Sequence, residues 1–268
     1  MKKSIFLILS IIFLISCSDD DTTTSPSLDQ EFVIHVNTYN AIPGISNRND
    51  SGTVKLSLYE DYTLKFDINI TNLANSDNLT VAHIHNGDVL SSGGVFAGLV
   101  DGTNVSFTGG TAQGTITLTA NEATELKTSK NLYVNIHSSD APSGLVRGQI
   151  NVEVSQAYNV QLTSSINGRT ETGVATLRVV DDYLHYKIEV NDLSSSDEIV
   201  AAHIHAGSTG QNGNVVLGFD ITSNDDLGVS KMLQITNDDI NKLNQDALYV
   251  NVHSSQYQAG LIRGQIRD

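Results

Sequence analysis

The amino-acid sequence predicts an all-β protein that consists of two tandem Greek-key-type antiparallel β-sandwich domains. Short runs rich in Val, Ile, Thr, Tyr and Phe alternate with polar residues, as at 54–58, 63–70 and 114–118, and are separated by turn-forming Gly, Asn, Asp and Ser. Helical periodicity is nearly absent, apart from one or two predicted turns at 121–127 and 237–243. The strand pattern also occurs twice along the chain, which indicates two copies of one fold.

Three motifs define the repeat, and each occurs twice in the same order. They are Ala-His-Ile-His at 82–85 and 202–205, Tyr-Val-Asn-x-His at 133–137 and 249–253, and Gly-Leu-x-Arg-Gly-Gln-Ile at 144–150 and 260–266. This duplication predicts one domain over residues 31–152 and a second over residues 156–268. Each is long enough for about seven or eight strands around its own core.

The chain begins with a segment typical of export signals. Two lysines precede an apolar run over residues 5–15, which is too short to cross a bilayer because a spanning helix needs about 20 residues. The run ends in Leu-Ile-Ser-Cys at 14–17, which resembles the lipobox of bacterial lipoproteins. Cys17, the one cysteine in the chain, stands where the lipid would be attached. We therefore predict a cleaved lipoprotein signal peptide over 1–16 and lipidation of Cys17.

Residues 17–30 are expected to form an acidic, flexible tether, because they are polar and cannot bury an apolar surface. Cys17 would anchor the protein to the lipid bilayer. Serine and three acids, Asp19 to Asp21, follow the cysteine and resemble the surface-export signal of some Gram-negative lipoproteins. That resemblance implies a lipid-anchored protein of the bacterial outer membrane that faces the outside of the cell. The alternative is that the three aspartates only solvate the linker.

The charge balance limits the classes of partner. The chain has 15 basic and 30 acidic residues, which gives a formal net charge of −15. Surfaces that bind nucleic acid are basic, so this composition argues against nucleic acid as a partner. A protein or glycan ligand stays open, because an acidic balance does not define a ligand.

Strand alternation predicts where the motif side chains lie. Successive side chains point to opposite faces of a strand, so His83 and His85 share one face while the alanine and isoleucine between them point inward. The same reasoning places His137 and Arg147 on the outer, polar face. The second domain repeats this set as His203, His205, His253 and Arg263.

Two interpretations of the histidines stay open at this point. Histidines at i and i+2 of one strand can converge on an ion with a third histidine from a neighbouring strand, and such nitrogen ligands suit copper or zinc. The metal hypothesis therefore covers His83, His85 and His137, and in the second domain His203, His205 and His253. Alternatively, the histidines form a hydrogen-bonded polar ladder with Asn135 and Arg147 that fixes the strand register.

The three motifs together resemble the chordin-type (CHRD) domain, and two copies would cover almost everything after the tether. The resemblance implies an extracellular β domain that is not an enzyme. It favours a binding or surface-structural module and implies no particular cofactor. An adhesin-like protein with a protein or glycan ligand is one form that such a module could take.

The histidine strands also resemble, more weakly, those of copper/zinc superoxide dismutase. This resemblance implies copper ligands at the motif histidines and anion-binding roles for Arg147 and Arg263. The chain departs from that enzyme in two ways, because no histidine lies between His85 and His137 to bridge to a zinc site, and a single cysteine forbids an internal disulfide. A copper-dependent redox enzyme is therefore the alternative function.

Overall fold

The computed structural model describes residues 25–164 and 166–268, which form two antiparallel eight-stranded sheets. The prediction of two tandem all-β domains is confirmed. The predicted signal peptide and Cys17 lie outside the described residues. Within the described part of the chain, no helix is long and apolar enough to cross a membrane.

The first domain has the strand order β5-β4-β7-β8-β1-β2-β3-β6. Its elements are β1 (Leu28–Asn37), β2 (Ser51–Tyr59), β3 (Thr63–Thr71), β4 (Leu79–Asn86), β5 (Val95–Val100), β6 (Thr111–Thr117), α1 (Ala120–Thr128), β7 (Leu132–Ser138) and β8 (Val146–Gln149). The edge strands β5 and β6 approach each other to within 8 Å between Cα atoms, so the sheet curls around its core.

The second domain repeats this arrangement with the order β13-β12-β15-β16-β9-β10-β11-β14. Its elements are β9 (Gln156–Thr163), β10 (Thr172–Val180), β11 (Tyr183–Asn191), β12 (Ile199–Ala206), β13 (Val215–Gly218), β14 (Lys231–Gln234), α2 (Asn237–Gln245), β15 (Leu248–Ser254) and β16 (Ile262–Arg267).

Alternating apolar residues build each core. In β3 the buried side chains are Leu64, Phe66, Ile68 and Ile70, and the residues between them are polar and exposed. Burial of each such side chain contributes about 1.5–3 kcal/mol. The hydrophobic alternation therefore fixes which face of every strand turns outward, including the strands that carry the histidines.

The two short helices occur where the sequence predicts them. Each begins with a capping box, formed by Thr119 with Glu122 in α1 and by Thr236 with Asp239 in α2. This reciprocal pair satisfies backbone N–H groups that the first turn leaves free. Both helices lead directly into the strand with the single histidine.

Strand β1 begins at Leu28, three residues before the predicted start of the first domain. Leu28 pairs with Tyr59 across the sheet, and Asp29 accepts an ion pair from Lys127 at 2.8 Å. The last residues of the predicted tether are therefore strand, because sheet pairing and this ion pair hold a segment whose composition is polar.

Arg178 joins the two domains. The residue is 1% exposed, and its guanidinium donates hydrogen bonds to the carbonyl oxygens of Asn40 (3.4 Å) and Ala41 (3.5 Å) in the first domain. Asn159 reinforces the contact by donating to the carbonyl of Tyr39 at 2.9 Å. Burial without a carboxylate partner lowers the pKa of Arg178 to about 9.

A buried ion network sits at the start of β4. Arg48 contacts the carboxylates of Asp50 at 2.7 Å and Asp77 at 2.9 Å. Asp77 also accepts hydrogen bonds from the Ser139 hydroxyl and the Asp140 backbone N–H, which lie in the loop after β7. Although burial alone would raise the pKa of Asp77, these hydrogen bonds and Arg48 lower it to about 2.

The second domain has the matching network, made by Arg169, Glu171 and Asp197. Asp197 accepts hydrogen bonds from the hydroxyls of Ser254 (2.8 Å) and Ser255 (3.0 Å). In both domains the network therefore ties the beginning of the His-x-His strand to the loop that follows the single-histidine strand.

Candidate metal centre

Three of the four histidines in each domain meet on the outer face of the sheet. Strands β4 and β7 are antiparallel neighbours, and their register sets His83 opposite Asn135 and His85 opposite Tyr133. One ring nitrogen from each of His83, His85 and His137 lies within 4.8 Å of the others. The second group, which has the same spacing, is His203, His205 and His253. We call these groups the first triad and the second triad.

Backbone carbonyls fix the orientation of two imidazoles in the first triad. The Nδ1 atom of His85 lies 3.0 Å from the carbonyl oxygen of Gly93, and Nδ1 of His137 lies 2.9 Å from that of Pro142. A carbonyl can only accept a hydrogen bond, so each Nδ1 carries the proton and each Nε2 keeps its lone pair. The second triad repeats both contacts, from His205 to Gly213 at 3.0 Å and from His253 to Gln258 at 2.9 Å.

Several of the converging nitrogens have no hydrogen-bond partner among the described residues. These buried atoms are Nδ1 of His83, Nε2 of His85 and Nε2 of His205. A buried polar atom without a partner costs about 1–3 kcal/mol. In the second triad, Nδ1 of His203 lies 3.1 Å from Nε2 of His253, so these two nitrogens share one proton.

Burial lowers the pKa of four of the triad histidines. It is the main cause that lowers the pKa of His83 and His85 below the ordinary value of 6.5, and the charges of neighbouring imidazoles add to it. Burial also lowers the pKa of His203 and His253. Because only neutral imidazole binds a metal ion, this environment favours ligation at pH 7.

A stack of three side chains supports each triad. His85 packs face to face on the Tyr133 ring, with centroids 5.3 Å apart and planes inclined by 12°, and the Arg147 guanidinium carbon lies 3.6 Å from the Tyr133 ring centroid. The Tyr133 hydroxyl accepts a hydrogen bond from the Gly93 N–H at 3.4 Å. The second domain has the same stack of His205, Tyr249 and Arg263. The ring centroids of His205 and Tyr249 are 5.1 Å apart with planes inclined by 11°, and the Arg263 guanidinium carbon lies 3.5 Å from the Tyr249 centroid.

Arg147 lies on the predicted face of the sheet, but it is covered there, with only 3% of its surface exposed. Its guanidinium donates to the carbonyls of Ser91 (3.0 Å) and Asp88 and to Oε1 of Gln149 (3.2 Å). Burial lowers the pKa of Arg147 to about 10, so it stays charged at pH 7. The loop after β4 folds over Arg147 and covers it on this face.

Arg263 is more accessible than Arg147. It donates to Oδ1 of Asn212 at 3.2 Å and to the carbonyl of Gln211 at 3.0 Å. The anion-binding role of Arg147 and Arg263 stays a prediction.

Sequence reasoning did not identify the groups that orient the triads. The carbonyls of Gly93 and Pro142 hold His85 and His137, and Asp77 fixes the loop beside them. Gly144 was seen only as part of a motif, yet its φ of 129° and its contact with the Asn135 amide exclude a side chain there. The one available signal was the recurrence of Asp77, Gly93 and Gly144 as Asp197, Gly213 and Gly260, whereas Gln258 stands in place of Pro142.

The donor set fits copper or zinc. Each triad offers three imidazole nitrogens, and within the described residues no cysteine or carboxylate belongs to either group. Nitrogen ligands suit these two metals, whereas calcium and magnesium prefer oxygen. Nδ1–H bonded to a backbone carbonyl is also the usual support for a histidine that ligates through Nε2.

The comparisons with known proteins agree with the repeat. The model of the CHRD domain family matches residues 32–150 and 152–266, which together contain all three motifs twice. No curated protein and no solved structure matches the chain. The chain therefore belongs to the CHRD domain family and carries two copies of the domain in tandem.

Proposed function

We propose that each domain binds one copper or zinc ion through its histidine triad. The observation that carries the proposal is the orientation of the imidazoles. Carbonyl oxygens hold Nδ1 of His85 and His137, so both Nε2 atoms keep a lone pair, and one nitrogen from each of the three imidazoles lies within 4.8 Å of the others. At Nε2 of His137 the ion would replace the hydrogen bond from the Asn135 amide. An ion at this position would bind all three nitrogens.

The alternative, a polar ladder that only fixes register, accounts for fewer of these contacts. A ladder would pair each buried nitrogen with a donor or acceptor, as Asn135 does when its amide nitrogen lies 3.3 Å from Nε2 of His137. The unpaired Nδ1 of His83 and Nε2 of His85 argue against a complete ladder. We therefore favour the metal.

Metal analysis of the full-length chain, purified in detergent, tests the proposal. After incubation with copper or zinc and exhaustive dialysis, we expect about two ions per chain, one for each triad. A variant with alanine at all three histidines of one triad should retain one ion, and a variant that lacks both triads should retain none. Equal metal content in all three proteins would refute metal binding by the triads and leave the polar ladder.

We also propose that the protein is a lipoprotein anchored through Cys17 and exposed on the bacterial outer membrane. The lipobox-like sequence and the acidic residues that follow it support this placement. Incorporation of labelled palmitate that is lost in Cys17→Ala would establish the anchor. Degradation by protease added to intact cells would establish the surface location, and resistance to it would contradict that location.

We propose a binding role for these sites rather than a catalytic one. The CHRD family membership supports a binding module, and a protein or glycan ligand could occupy its outer faces. Copper-dependent redox chemistry is the alternative, because three histidines leave a side of the ion open to a small molecule. A superoxide dismutation rate that requires copper and is lost in His137→Ala would favour the enzyme. A rate no higher than that of buffer without protein would favour the binding module.

A further inference from the structure

The first triad opens into a cleft between the two domains. The cleft has a volume of about 590 Å³, and His85 and His137 form part of one wall. The opposite wall comes from the outer face of the second sheet and consists of Gln161, Val174, Thr176, Lys187 and Glu189. None of the second triad's histidines lines this cleft. The two triads, although alike in geometry, therefore have different surroundings.

Lys187 is the cationic residue on the wall opposite the first triad. Its side chain is 18% exposed, and its ammonium lies 3.4 Å from the carboxylate of Glu189, which is 46% exposed. Glu189 is the more hydrated of the two, so its charge is more strongly screened by water. Lys187 therefore reaches the cleft as one half of an ion pair, and an anion bound there would compete with Glu189 for its ammonium.

The lysine is a feature of the second domain alone. Lys187 pairs with Thr176 across β10 and β11, and the equivalent pair in β2 and β3 is Lys55 with Asp67. The repeat thus has Lys187 where the first domain has Asp67, and it has Thr176 and Glu189 in place of Lys55 and Asn69. The basic residue therefore lies on β11 rather than on the neighbouring strand, while the net charge of the face is unchanged. The shared fold does not require this change, because the position points outward from the core in both sheets.

We propose that the cleft makes the first triad a site for a small anion, such as a carboxylate or an inorganic anion, held between the bound ion and Lys187. This inference rests on the proposed metal function. Three histidines leave a position open on the ion, and clefts at domain interfaces are frequent places for small ligands. The second triad lacks the lysine wall and should bind the same anion more weakly.

Azide binding to copper-loaded protein tests the proposal, because azide gives an optical signal when it binds copper. The full-length chain is prepared with alanine at all three histidines of the second triad, or of the first triad, so that each protein retains one site. We expect the first site to bind azide about tenfold more tightly than the second, with a preference that falls as salt is added.

Substitutions on the wall opposite the first triad test whether Lys187 causes the difference in azide affinity. Lys187→Met should lower the azide affinity of the first site to that of the second. Glu189→Gln should raise the azide affinity of the first site, because it frees Lys187 from its carboxylate partner. Lys65→Met, at an outward position of the first sheet, is the matched control and should change neither site.

The outcomes separate this inference from the metal proposal. Copper retained at both sites with equal azide affinities, or a first-site affinity unchanged by Lys187→Met, would overturn the anion site and leave metal binding intact. Failure of the first-site protein to retain copper would overturn both.

Discussion

The imidazole of His85 stacks on the phenol ring of Tyr133, and both side chains are bonded to the same residue, Gly93. The Gly93 carbonyl accepts from His85 Nδ1, and the Gly93 N–H donates to the Tyr133 hydroxyl. The tyrosine therefore supports the histidine by direct stacking and through the loop. Because the second domain has the same arrangement, each domain can serve as the control for the other.

Tyr133→Leu should weaken metal binding at the first triad by about tenfold to a hundredfold, as is usual when the support of a ligating histidine is lost. The second triad should be unaffected. Competition with a chelator of known affinity measures both sites, and Tyr249→Leu should give the reverse pattern. Equal weakening of both sites by Tyr133→Leu would contradict a local role for the stack.

Acid should release the metal and reduce the stability of the metal-free protein. Burial lowers the pKa of His83, His85, His203 and His253 in the folded state below 6.5, so the unfolded chain takes up protons first as the pH falls. The free energy of unfolding in urea should therefore be highest above pH 6.5 and decrease below it. A variant with all six triad histidines changed to alanine should show a flatter dependence between pH 7.5 and 5.

Gly144→Ala should destabilise the first domain by about 2 kcal/mol or more, because a side chain at this positive φ is strained and would overlap the Asn135 amide. The same strain would shift the Pro142 carbonyl that orients His137, so metal binding at the first triad should also weaken. Gly94→Ala is the matched control, since nothing lies near the added methyl group. Urea unfolding and metal competition should both be unchanged in that control.

Asp77→Asn should destabilise the protein by about 2 kcal/mol, because it removes one of the two buried carboxylates that pair with Arg48 and weakens the hydrogen bonds from Ser139 and Asp140. The native carboxylate, with a pKa of about 2, contributes stability above pH 3.8 that is lost as the pH falls from 3.8 toward 2. The variant should lack this acid-dependent loss. Asp67→Asn, at an exposed position of β3, should change the free energy of unfolding by less than about 0.5 kcal/mol.

Arg178→Leu should uncouple the two domains, because it removes the hydrogen bonds to the Asn40 and Ala41 carbonyls. Calorimetry should then resolve two unfolding transitions, or separate them further than in the unmodified chain. Arg178→Lys keeps the charge but not the planar array of donors, so its effect should be intermediate. Identical calorimetric profiles for all three proteins would show that this contact does not couple the domains.

Alternation along the strands was sufficient to predict the fold class and the outward face of the histidines. It works because the core requires Ala82 and Ile84 inside, which forces His83 and His85 outside. Alternation carries no information on where loop backbone lies. The covering of Arg147 and the carbonyl contact of His137 depend on loop paths, so neither could be predicted.

The domain interface was beyond sequence reasoning for a related reason. Arg178 stands where the first domain has Ser57, so comparison of the repeats shows a difference but not a contact. Only the placement of one sheet against the other brings Arg178 to the first domain and Lys187 to the cleft. Repeat alignment can identify such unmatched residues, and tertiary structure is needed to explain them.

The close approach of β5 and β6 affects how neighbouring molecules can meet. These strands carry the edges of the first sheet, and their proximity restricts the room for a foreign strand to pair with either one. The curled sheet therefore hinders edge-to-edge assembly between copies of the chain, which would otherwise grow as their concentration rises.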